Sequence, residues 1–328
     1  MAPLRIGIPF AKGTDIQQLD DLRICSEREP LAQSVLTPTG KWDDGSIRWA
    51  YIEVLANLSE TQTLRLLPKG QVSRKSTDSV ALPIAKLIDR SLQFQIQGVQ
   101  KNQVFSSMVA VLEVTGAWGT ATLTFDPTSK PSGKADELGF QFESLSKFKS
   151  ENLPLPIEFG LSGKFWCTGQ IDLAISVRNP NPADHPGGNW DLGNQGSFYI
   201  QDLTLKLVLQ GDASRSELVV RESCDGELKT AKESIELFQA SSGGQNWNSS
   251  NHIDRNRKIP LPFRGYRLCV DGARSTAERS TPYVAIESDG TTLAVACNRF
   301  WQNFPMAIRA NGKTIDVGLL PKESGYEH

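Results

Sequence analysis

Residues 171–209 read IDLAISVRNPNPADHPGGNWDLGNQGSFYIQDLTLKLVL, which is two alternating segments joined by a long loop. In Ile171–Val177 and Phe198–Leu209, apolar and polar side chains alternate, as is typical of β-strands with one buried face. In the intervening Asn179–Ser197, eleven of nineteen residues are Asn, Pro or Gly, the residues of turns. This stretch predicts two strands joined by a loop that is long for a compact domain.

The loop Asn179–Ser197 also contains His185, Trp190 and Leu192, so we expect it to fold back onto the protein. Loops of this length are usually functional or disordered. In one interpretation it is an active-site loop with His185 as a base. In the other, which we favour, Trp190 and Leu192 fix it to the edge of a sheet.

The same two-residue alternation recurs along most of the chain and indicates antiparallel sheets with one solvated face. The segments that show it are Thr63–Leu67, Ser91–Gln97, Ala121–Phe125, Glu217–Arg221, Tyr283–Glu287 and Leu293–Ala296. One segment differs: Leu138, Phe142, Leu145 and Phe148 have helical spacing, although Gly139 interrupts it. The sequence therefore predicts an all-β protein with one candidate helix.

A polar stretch, Gln71–Asp89, interrupts the alternating pattern and marks the best domain boundary. We expect a small N-terminal β-barrel over residues 1–80. We expect a large antiparallel β-sandwich over residues 81–328, a length within the range of a sandwich with long loops.

The bulk composition excludes some classes of function. With 22% charged residues and a formal net charge of −2, the chain has no electrostatic case for binding nucleic acid or an anionic membrane. No apolar run approaches the ~18–20 residues that span a bilayer. The first ten residues, MAPLRIGIPF, show no signal peptide, so we expect a cytoplasmic protein if this N-terminus is native.

The five cysteines are odd in number and scattered, without C-x-x-C spacing, so the sequence predicts neither a disulfide framework nor a zinc site. We expect small buried side chains in strands, as for Cys167 and Cys297. The chain has three histidines and none of the nucleotide-binding, zinc-protease or nucleophile-elbow motifs. It predicts no cofactor and no metal.

Residues Trp42–Trp49, WDDGSIRW, form a predicted hairpin in which Asp-Gly supplies the tight turn. Trp42, Trp49 and Arg48 could form a platform for sugar rings. We favour a core hairpin with Arg48 packed over an indole ring. Asp43 and Asp44 are accordingly predicted to be turn residues rather than catalytic acids.

Two further segments combine aromatic and polar side chains. Ser241–His252 reads SSGGQNWNSSNH and offers Asn246, Trp247 and His252 for a hydroxylated ligand, with His252 as a candidate base. An ordered loop in which Asn and Ser bond to their own backbone explains the same composition. Asn298–Pro305 reads NRFWQNFP and predicts a core or interface anchor, although Trp301 could line a groove.

Five segments together resemble a known family. They are LRIGIPFAK (Leu4–Lys12), WDDGSIRW (Trp42–Trp49), RNPNPADHPGGNWDLGNQGS (Arg178–Ser197), SSGGQNWNSSNH (Ser241–His252) and FWQNFP (Phe300–Pro305). In this order they are similar to the N-terminal barrel and central β-sandwich of the exo-acting rhamnogalacturonan lyases and their bacterial relatives. The resemblance extends over essentially the whole chain.

The resemblance implies a third part, a large helical catalytic domain after the sandwich. The chain ends at Gly318–His328, near the expected end of the sandwich. Eliminating across a uronic acid requires groups that neutralise a carboxylate, a base and an acid, often with a metal ion. The nearest cluster is His252 with Arg255 and Arg257, and in the family that loop would face the helical domain.

Our leading hypothesis is a non-catalytic, β-rich portion of a rhamnogalacturonan-lyase-like protein, inactive alone. It would support or orient a helical catalytic domain or partner chain and contact pectic oligosaccharide. Candidate substrate-binding residues are Trp190, Asn246, Trp247 and Trp301; the weak catalytic candidates are His252 and Arg255. The alternative is a stand-alone carbohydrate-binding module that uses Trp42, Trp49, Trp190 or Trp247. A third hypothesis is a small enzyme that uses His185 and His252.

Overall fold

The computed structural model describes residues 2–14, 16, 19, 22–26, 29–30, 34–56, 63–68, 94–96, 99–100, 103–104, 108–117, 119–123, 132–136, 138–148, 157–166, 168–180, 199–209, 216–253, 257–288, 291–326 and 328. Their regular structure is antiparallel β-sheet, apart from short 3-10 turns such as Ser250–His252 and Lys322–Ser324. The predicted all-β class is confirmed. The boundary at Gln71–Asp89 and most of the loop Asn179–Ser197, with Trp190 and His185, lie outside the described residues.

Two three-stranded sheets form the N-terminal part, in the orders β1-β5-β4 and β3-β2-β6. Their strands are β1 (Ala2–Pro9), β2 (Leu22–Ser26), β3 (Glu29–Pro30), β4 (Ser34–Lys41), β5 (Ile47–Ala56) and β6 (Leu64–Pro68). Leu36 of β4 and Leu66 of β6 both pack against the buried side chains Ile47, Ile52 and Val54 of β5. The two sheets thus share a core, while closure into a barrel stays a prediction.

A large sheet dominates the rest of the chain, in the order β11-β10-β16-β25-β24-β19-β20-β21, with β7 also pairing with β10. Its strands are β7 (Phe94–Ile96), β10 (Met108–Gly116), β11 (Gly119–Leu123), β16 (Asp202–Leu209), β19 (Ser234–Gln239), β20 (Tyr266–Val270), β21 (Ala273–Ala277), β24 (Met306–Asn311) and β25 (Thr314–Leu320). A separate ribbon pairs β8 (Val99–Gln100) with β9 (Gln103–Val104).

Two four-stranded sheets cover one face of the large sheet. They contain β12 (Ser132–Asp136), β13 (Gly139–Phe148), β14 (Ile157–Trp166) and β15 (Ile171–Arg178), and β17 (Glu217–Arg221), β18 (Lys229–Ala231), β22 (Tyr283–Ser288) and β23 (Thr291–Ala296). Leu237 and Ile308 of the large sheet share one buried cluster with Val220 and Ile286. Leu112 of β10 shares a second cluster with Phe159 of β14. This packing is a β-sandwich.

The predicted helix over Leu138–Phe148 is wrong, because residues 139–148 form strand β13. This strand pairs along its whole length with β14 and also pairs with β12, so its backbone groups bond between strands. The side chain of Asp136 accepts hydrogen bonds from the backbone N–H groups of Leu138 and Gly139 and closes the preceding turn. Tertiary pairing overrides the helical spacing of the apolar residues.

An apolar contact joins the N-terminal part to the sandwich. Leu55 of β5, Leu138 and Trp166 form a buried cluster with Val35 packed against it. Because alternate residues of a strand point to opposite faces, Leu55 lies on the face of β5 opposite to Ile52 and Val54. Strand β5 therefore contributes to two cores, one within the N-terminal part and one at this interface.

A group of charged side chains surrounds that contact; we call it the Lys164 cluster, formed by Lys164, Glu53, Asp136, Arg5 and Asp172. The Lys164 side chain is 1% exposed, with Nζ 2.7 Å from Glu53 Oε2 and 2.8 Å from Asp136 Oδ2. Arg5 lies 2.9 Å from Glu53 Oε1 and 2.8 Å from Asp172 Oδ2. These ion pairs connect β1 and β5 with β12, β14 and β15.

Four described cysteines are free thiols, and their burial differs from one to the next. Cys25 is buried in β2, as predicted, whereas Cys269 in β20 is only partly buried and Cys297 is partly buried just after the end of β23. Burial raises the pKa of the Cys297 thiol to about 11. Cys224 is exposed, so the prediction that the cysteines are buried in strands is wrong there: Cys224 lies in the turn after β17. Cys167 lies outside the described residues.

Candidate functional site

Three loops emerge at one end of the large sheet. Gln239, the last residue of β19, pairs with Tyr266, the first of β20, and with Met306, the first of β24. Tyr266 pairs in turn with Ala277, the last of β21. We call the loops that meet here the aromatic end: residues 240–253 and 261–265 of the β19–β20 loop, 278–282 of the β21–β22 loop and 298–305 of the β23–β24 loop.

Two buried polar side chains fix the backbone of the aromatic end. Gln239 donates from Nε2 to the carbonyls of Ser241 (2.6 Å) and Glu278 (3.0 Å), and its Oε1 accepts from the N–H of Ser280 at 3.0 Å. Ser241 Oγ accepts from the N–H of Gly265 at 2.8 Å. Because a buried polar group is costly unless it is bonded, these bonds favour one arrangement of the loops.

The same loops approach each other so closely that only glycine fits at two positions. A Cβ on Gly243 would lie 2.0 Å from the carbonyl oxygen of Glu278. One on Gly265 would lie 2.0 Å from that of Ala277. Both glycines also have positive φ, at 71° and 78°. The backbone of the aromatic end is therefore tightly packed before any ligand binds.

Two arginines join the loops at the surface. Arg279 Nε donates to the carbonyl of Ser242 at 3.1 Å, and its guanidinium carbon lies 4.3 Å from the centre of the Trp301 ring. Arg264 Nε donates to the carbonyl of Gly243 at 2.9 Å, and Arg264 also pairs with Glu278. Trp301 is half-buried while Arg279 is exposed, so an indole ring and a fixed cation lie side by side at the surface.

The loop Ser241–His252 continues as a series of turns. The N–H of Trp247 donates to the carbonyl of Gly244 at 3.3 Å, and the N–H of Ser249 donates to that of Asn246 at 3.1 Å. Asn246 is exposed and Trp247 half-buried. The rings of His252 and Phe304 meet edge to face with their centroids 5.8 Å apart. That contact joins the end of this loop to the segment that contains Trp301.

A hydrogen-bonded pair, the buried Tyr266 and the partly buried Glu222, lies next to the aromatic end. The hydroxyl of Tyr266 donates to Glu222, and Ser280 Oγ donates to the backbone carbonyl of Glu222 at 2.7 Å. Burial raises the pKa of Tyr266, and the hydrogen bond to Glu222 raises that pKa further. Burial by itself would raise the pKa of Glu222, but hydrogen bonds from Lys229 and Tyr266 outweigh it and lower that pKa. At neutral pH the pair is a neutral phenol bonded to a carboxylate.

The aromatic end brings together four of the residues predicted from the sequence: Asn246, Trp247, His252 and Trp301. The ordered-loop interpretation of Ser241–His252 is supported, because the side chain of Ser241 bonds to the backbone of its own loop and of Gly265. Two other predicted site residues, Arg255 and Trp190, lie outside the described residues.

In the tryptophan hairpin Arg48 packs over an indole ring, as we favoured, but the prediction of a core hairpin is wrong, because Arg48 and Trp49 are exposed and Trp42 is half-buried. The guanidinium carbon of Arg48 lies 4.7 Å from the centre of the Trp42 ring, and Trp42 Nε1 donates to the carbonyl of Phe10. Asp44 accepts from the N–H and hydroxyl of Ser46, as expected of a turn residue. Those hydrogen bonds lower the pKa of Asp44. Arg48 thus covers one face of the half-buried Trp42 ring, whereas Trp49 is 44% exposed.

Sequence reasoning did not find Arg264, Arg279 and Gln239. Each donates to a backbone carbonyl: Arg264 to that of Gly243, Arg279 to that of Ser242 and Gln239 to that of Glu278. A carbonyl is present at every position, so it leaves no pattern in the sequence. The only signal was the concentration of polar residues where β19 and β21 end.

Comparisons of the chain with family models, curated proteins and solved structures return no match. The fold and the site define an all-β protein, a β-sandwich with an additional N-terminal pair of sheets and an aromatic, arginine-rich surface at one end. Within the described residues, no helix is long and apolar enough to cross a membrane. In that same part of the chain, no group of three or more His, Cys, Asp or Glu could hold a metal ion.

Proposed function

We propose that this chain is the non-catalytic, β-rich portion of a rhamnogalacturonan-lyase-like protein, and that its aromatic end contacts pectic oligosaccharide. A helical catalytic domain or a partner chain would carry the chemistry. The observation that supports the proposal most directly is the Arg279–Trp301 stack, at 4.3 Å, on a backbone that buried hydrogen bonds already fix.

The chemistry of the aromatic end fits an acidic sugar. An indole ring offers an apolar face to the C–H groups of a pyranose ring, and a guanidinium can bond a carboxylate with two parallel hydrogen bonds. Among the described residues, Arg279 uses only its Nε for a hydrogen bond to protein. Its terminal nitrogens therefore suit a uronate carboxylate, and the exposed amide of Asn246 suits sugar hydroxyls.

The groups at this site have structural partners that match a binding role. The carboxylate of Glu278 is paired with Arg264, and the ring of His252 packs against Phe304. A general base must reach the proton that it removes in a substrate complex. In the proposed function these groups hold the loops, and base and acid come from the helical domain.

Calorimetric titration with rhamnogalacturonan oligosaccharides tests the proposal. We expect the wild-type chain to bind and Trp301→Ala and Arg279→Ala to weaken binding about tenfold or more, since the first removes the ring that packs on the sugar and the second removes hydrogen bonds to a charged group, worth ~1.5–3 kcal/mol. Arg48→Ala is the matched control, because it removes the similar stack on Trp42 in the N-terminal part. Binding should also weaken as salt is added, because the ligand is anionic.

Two outcomes contradict the proposal. One is equal affinity of the wild type and Trp301→Ala for the acidic oligosaccharide. The other is lyase turnover by the isolated chain, measured as new absorbance from unsaturated uronate. The alternative, a stand-alone carbohydrate-binding module, predicts the same binding without dependence on a partner. If the product of the adjacent gene is added and lyase activity does not increase, that alternative is favoured.

A further inference from the structure

A second aromatic surface lies on the N-terminal part, remote in sequence from the aromatic end. Trp49 and Tyr51 are two residues apart on β5 and are 44% and 38% exposed. Side chains two residues apart on a strand share a face and are separated by about 7 Å. Because Ala50 and Ile52 point into the N-terminal core, Trp49 and Tyr51 point away from it.

The positions opposite these rings are small or uncharged. Gly7 of β1 pairs with Tyr51, and a Cβ on Gly7 would meet nothing within 4 Å. Gly40 of β4 pairs with Trp49, and a Cβ on it would lie 4.0 Å from Trp49 Cδ1. Thr37 is the other cross-strand neighbour of Tyr51. Since cross-strand neighbours share a face, the two rings lie in an open, uncharged strip.

This strip continues from the interface with the sandwich. Farther along the same face of β5, Glu53 and Leu55 are buried in that interface. Arg5, which pairs with Glu53 on this face, is neutralised by Glu53 and Asp172. The face is therefore covered at one end and open at the other, where it offers aromatic rings and hydroxyl groups without net charge.

We propose that the Trp49–Tyr51 strip is a second binding site, for an uncharged polysaccharide chain whose pyranose rings stack on the two aromatic rings. A protein partner fits poorly, because an aromatic side chain can bury about 150–250 Å², so the exposed fractions of 44% and 38% leave at most about 200 Å². A stable protein interface needs ~800 Å² per partner. The lack of charge opposite the rings favours a neutral sugar over a uronate. This inference does not rest on the proposed function of the aromatic end.

Affinity gel electrophoresis of the full chain tests this site, with β-1,4-galactan, hydroxyethyl cellulose or polygalacturonate in the gel. We expect at least one neutral polymer to slow the wild type. In the double variant Trp49→Ala/Tyr51→Ala, the apparent affinity for that polymer, calculated from the retardation, should fall about tenfold or more. Ile6→Ala is the matched control, because Ile6 is an exposed apolar residue, 45% exposed, on the opposite face of the same sheet.

A third variant separates binding from folding. Gly7→Gln adds a side chain beside Tyr51 where there is open space, so it should block the strip without removing either ring. We expect it to reduce retardation while the melting temperature stays that of the wild type. The aromatic end is assayed with an acidic oligosaccharide and this strip with neutral polymers, so failure at one surface does not imply failure at the other.

Three results would overturn the inference. One is wild-type migration that none of the neutral polymers changes. Another is retardation that persists in Trp49→Ala/Tyr51→Ala. The third is sedimentation of the wild type as a dimer that this double variant abolishes, without any effect of polymer, since that assigns the strip to a second copy of the chain.

Discussion

Two tryptophans of this protein lie beside cations, and their surroundings differ in an instructive way. Trp301 at the aromatic end is half-buried beside one exposed arginine, Arg279. Trp166 at the interface is 3% exposed, with Lys164 Nζ at 4.5 Å and the Arg5 guanidinium carbon at 4.7 Å from its ring centre. An indole ring beside a cation is thus accessible to solvent at Trp301 and excluded from solvent at Trp166.

The difference extends to the polar groups around each ring. At the aromatic end, buried Gln239 and Ser241 bond to backbone, and the formal charges stay at the surface. In the Lys164 cluster, charged side chains bond to each other at the centre of the contact. Charges removed from water are costly unless each is paired. The interface is therefore the more vulnerable region for stability, whereas the arginines of the aromatic end remain in contact with solvent.

The largest effect is expected at the interface. Lys164→Met removes the buried cation from two carboxylates: Glu53 keeps its pair with Arg5, but the partly buried Asp136 loses its cation. We expect the free energy of unfolding to fall by about 3–5 kcal/mol. Urea titration followed by circular dichroism measures this loss. A separate early transition would show that the N-terminal part has lost its coupling to the sandwich.

Two comparisons test that result. Lys12→Met removes the exposed pair with Asp43 and should cost less than about 1 kcal/mol. Adding Asp136→Asn to Lys164→Met should recover part of the loss, since Glu53 stays paired with Arg5 and no unpaired carboxylate then remains. Equal losses for Lys164→Met and Lys12→Met would mean that burial does not distinguish the two ion pairs.

The next effect concerns backbone packing at the aromatic end. Gly265→Ala places a methyl group 2.0 Å from the carbonyl oxygen of Ala277 at a φ of 78°, and displaces the N–H that bonds Ser241. We expect a loss of about 2–3 kcal/mol in the free energy of unfolding. Binding of the acidic oligosaccharide should also weaken, because the loops shift.

Gly272→Ala is the matched control for Gly265→Ala. Gly272 lies at the other end of the same hairpin with φ 85°, and a Cβ there meets nothing within 4 Å. It should cost only the ~1–2 kcal/mol of a left-handed backbone and leave binding unchanged. If the two variants cost the same, close packing at Gly265 does not contribute to the stability of the aromatic end.

The sequence predicted the strands well where one face of a sheet is buried. Ile171–Val177 alternates in the sequence and lies within strand β15, from which Ile171 and Ile175 pack against the buried clusters. Period-two alternation records burial of one face, so it is visible in a single segment. Residues 139–148 were misassigned because apolar spacing at i, i+4 and i+7 also occurs in strands, and pairing with β14 decides between them. That pairing is a property of two segments together.

The site was predictable only in part, for a related reason. The composition of Ser241–His252 indicated an ordered polar loop, and Trp301 stood out as an aromatic residue in a polar segment. Arg279 bonds to a carbonyl 37 positions away, and Lys164 bonds to a carboxylate 111 positions away. Partners so far apart in the sequence produce no pattern within a single segment. A lysine within a strand looks like a residue of a solvated face, yet here it is buried.

The smallest effect concerns the opposite end of β20 from Gly265, where Asp271 lies. Its carboxylate accepts hydrogen bonds from the backbone N–H groups of Lys232 (2.8 Å), Glu233 (2.9 Å) and Ser234 (2.9 Å). These bonds lower the pKa of Asp271 below the usual 3.8. The pKa of Asp271 is lower in the folded than in the unfolded protein, so its charge stabilises the fold at pH values above the unfolded-state pKa. This stabilisation is lost as the pH falls through the folded-state pKa.

Asp271→Asn removes the charge but retains a side chain that tolerates the left-handed backbone at this position, where φ is 47°. We expect it to melt slightly below the wild type at pH 7, by less than Gly265→Ala does, with the gap closing as pH falls below 3.8. Thermal melts across this pH range measure the gap. A gap that stays constant would mean that the geometry of the turn, and not the charge on Asp271, supports this end of β20. In that case backbone hydrogen bonds would stabilise both ends of β20 without a contribution from charge, unlike the Lys164 cluster, where ion pairs stabilise the contact.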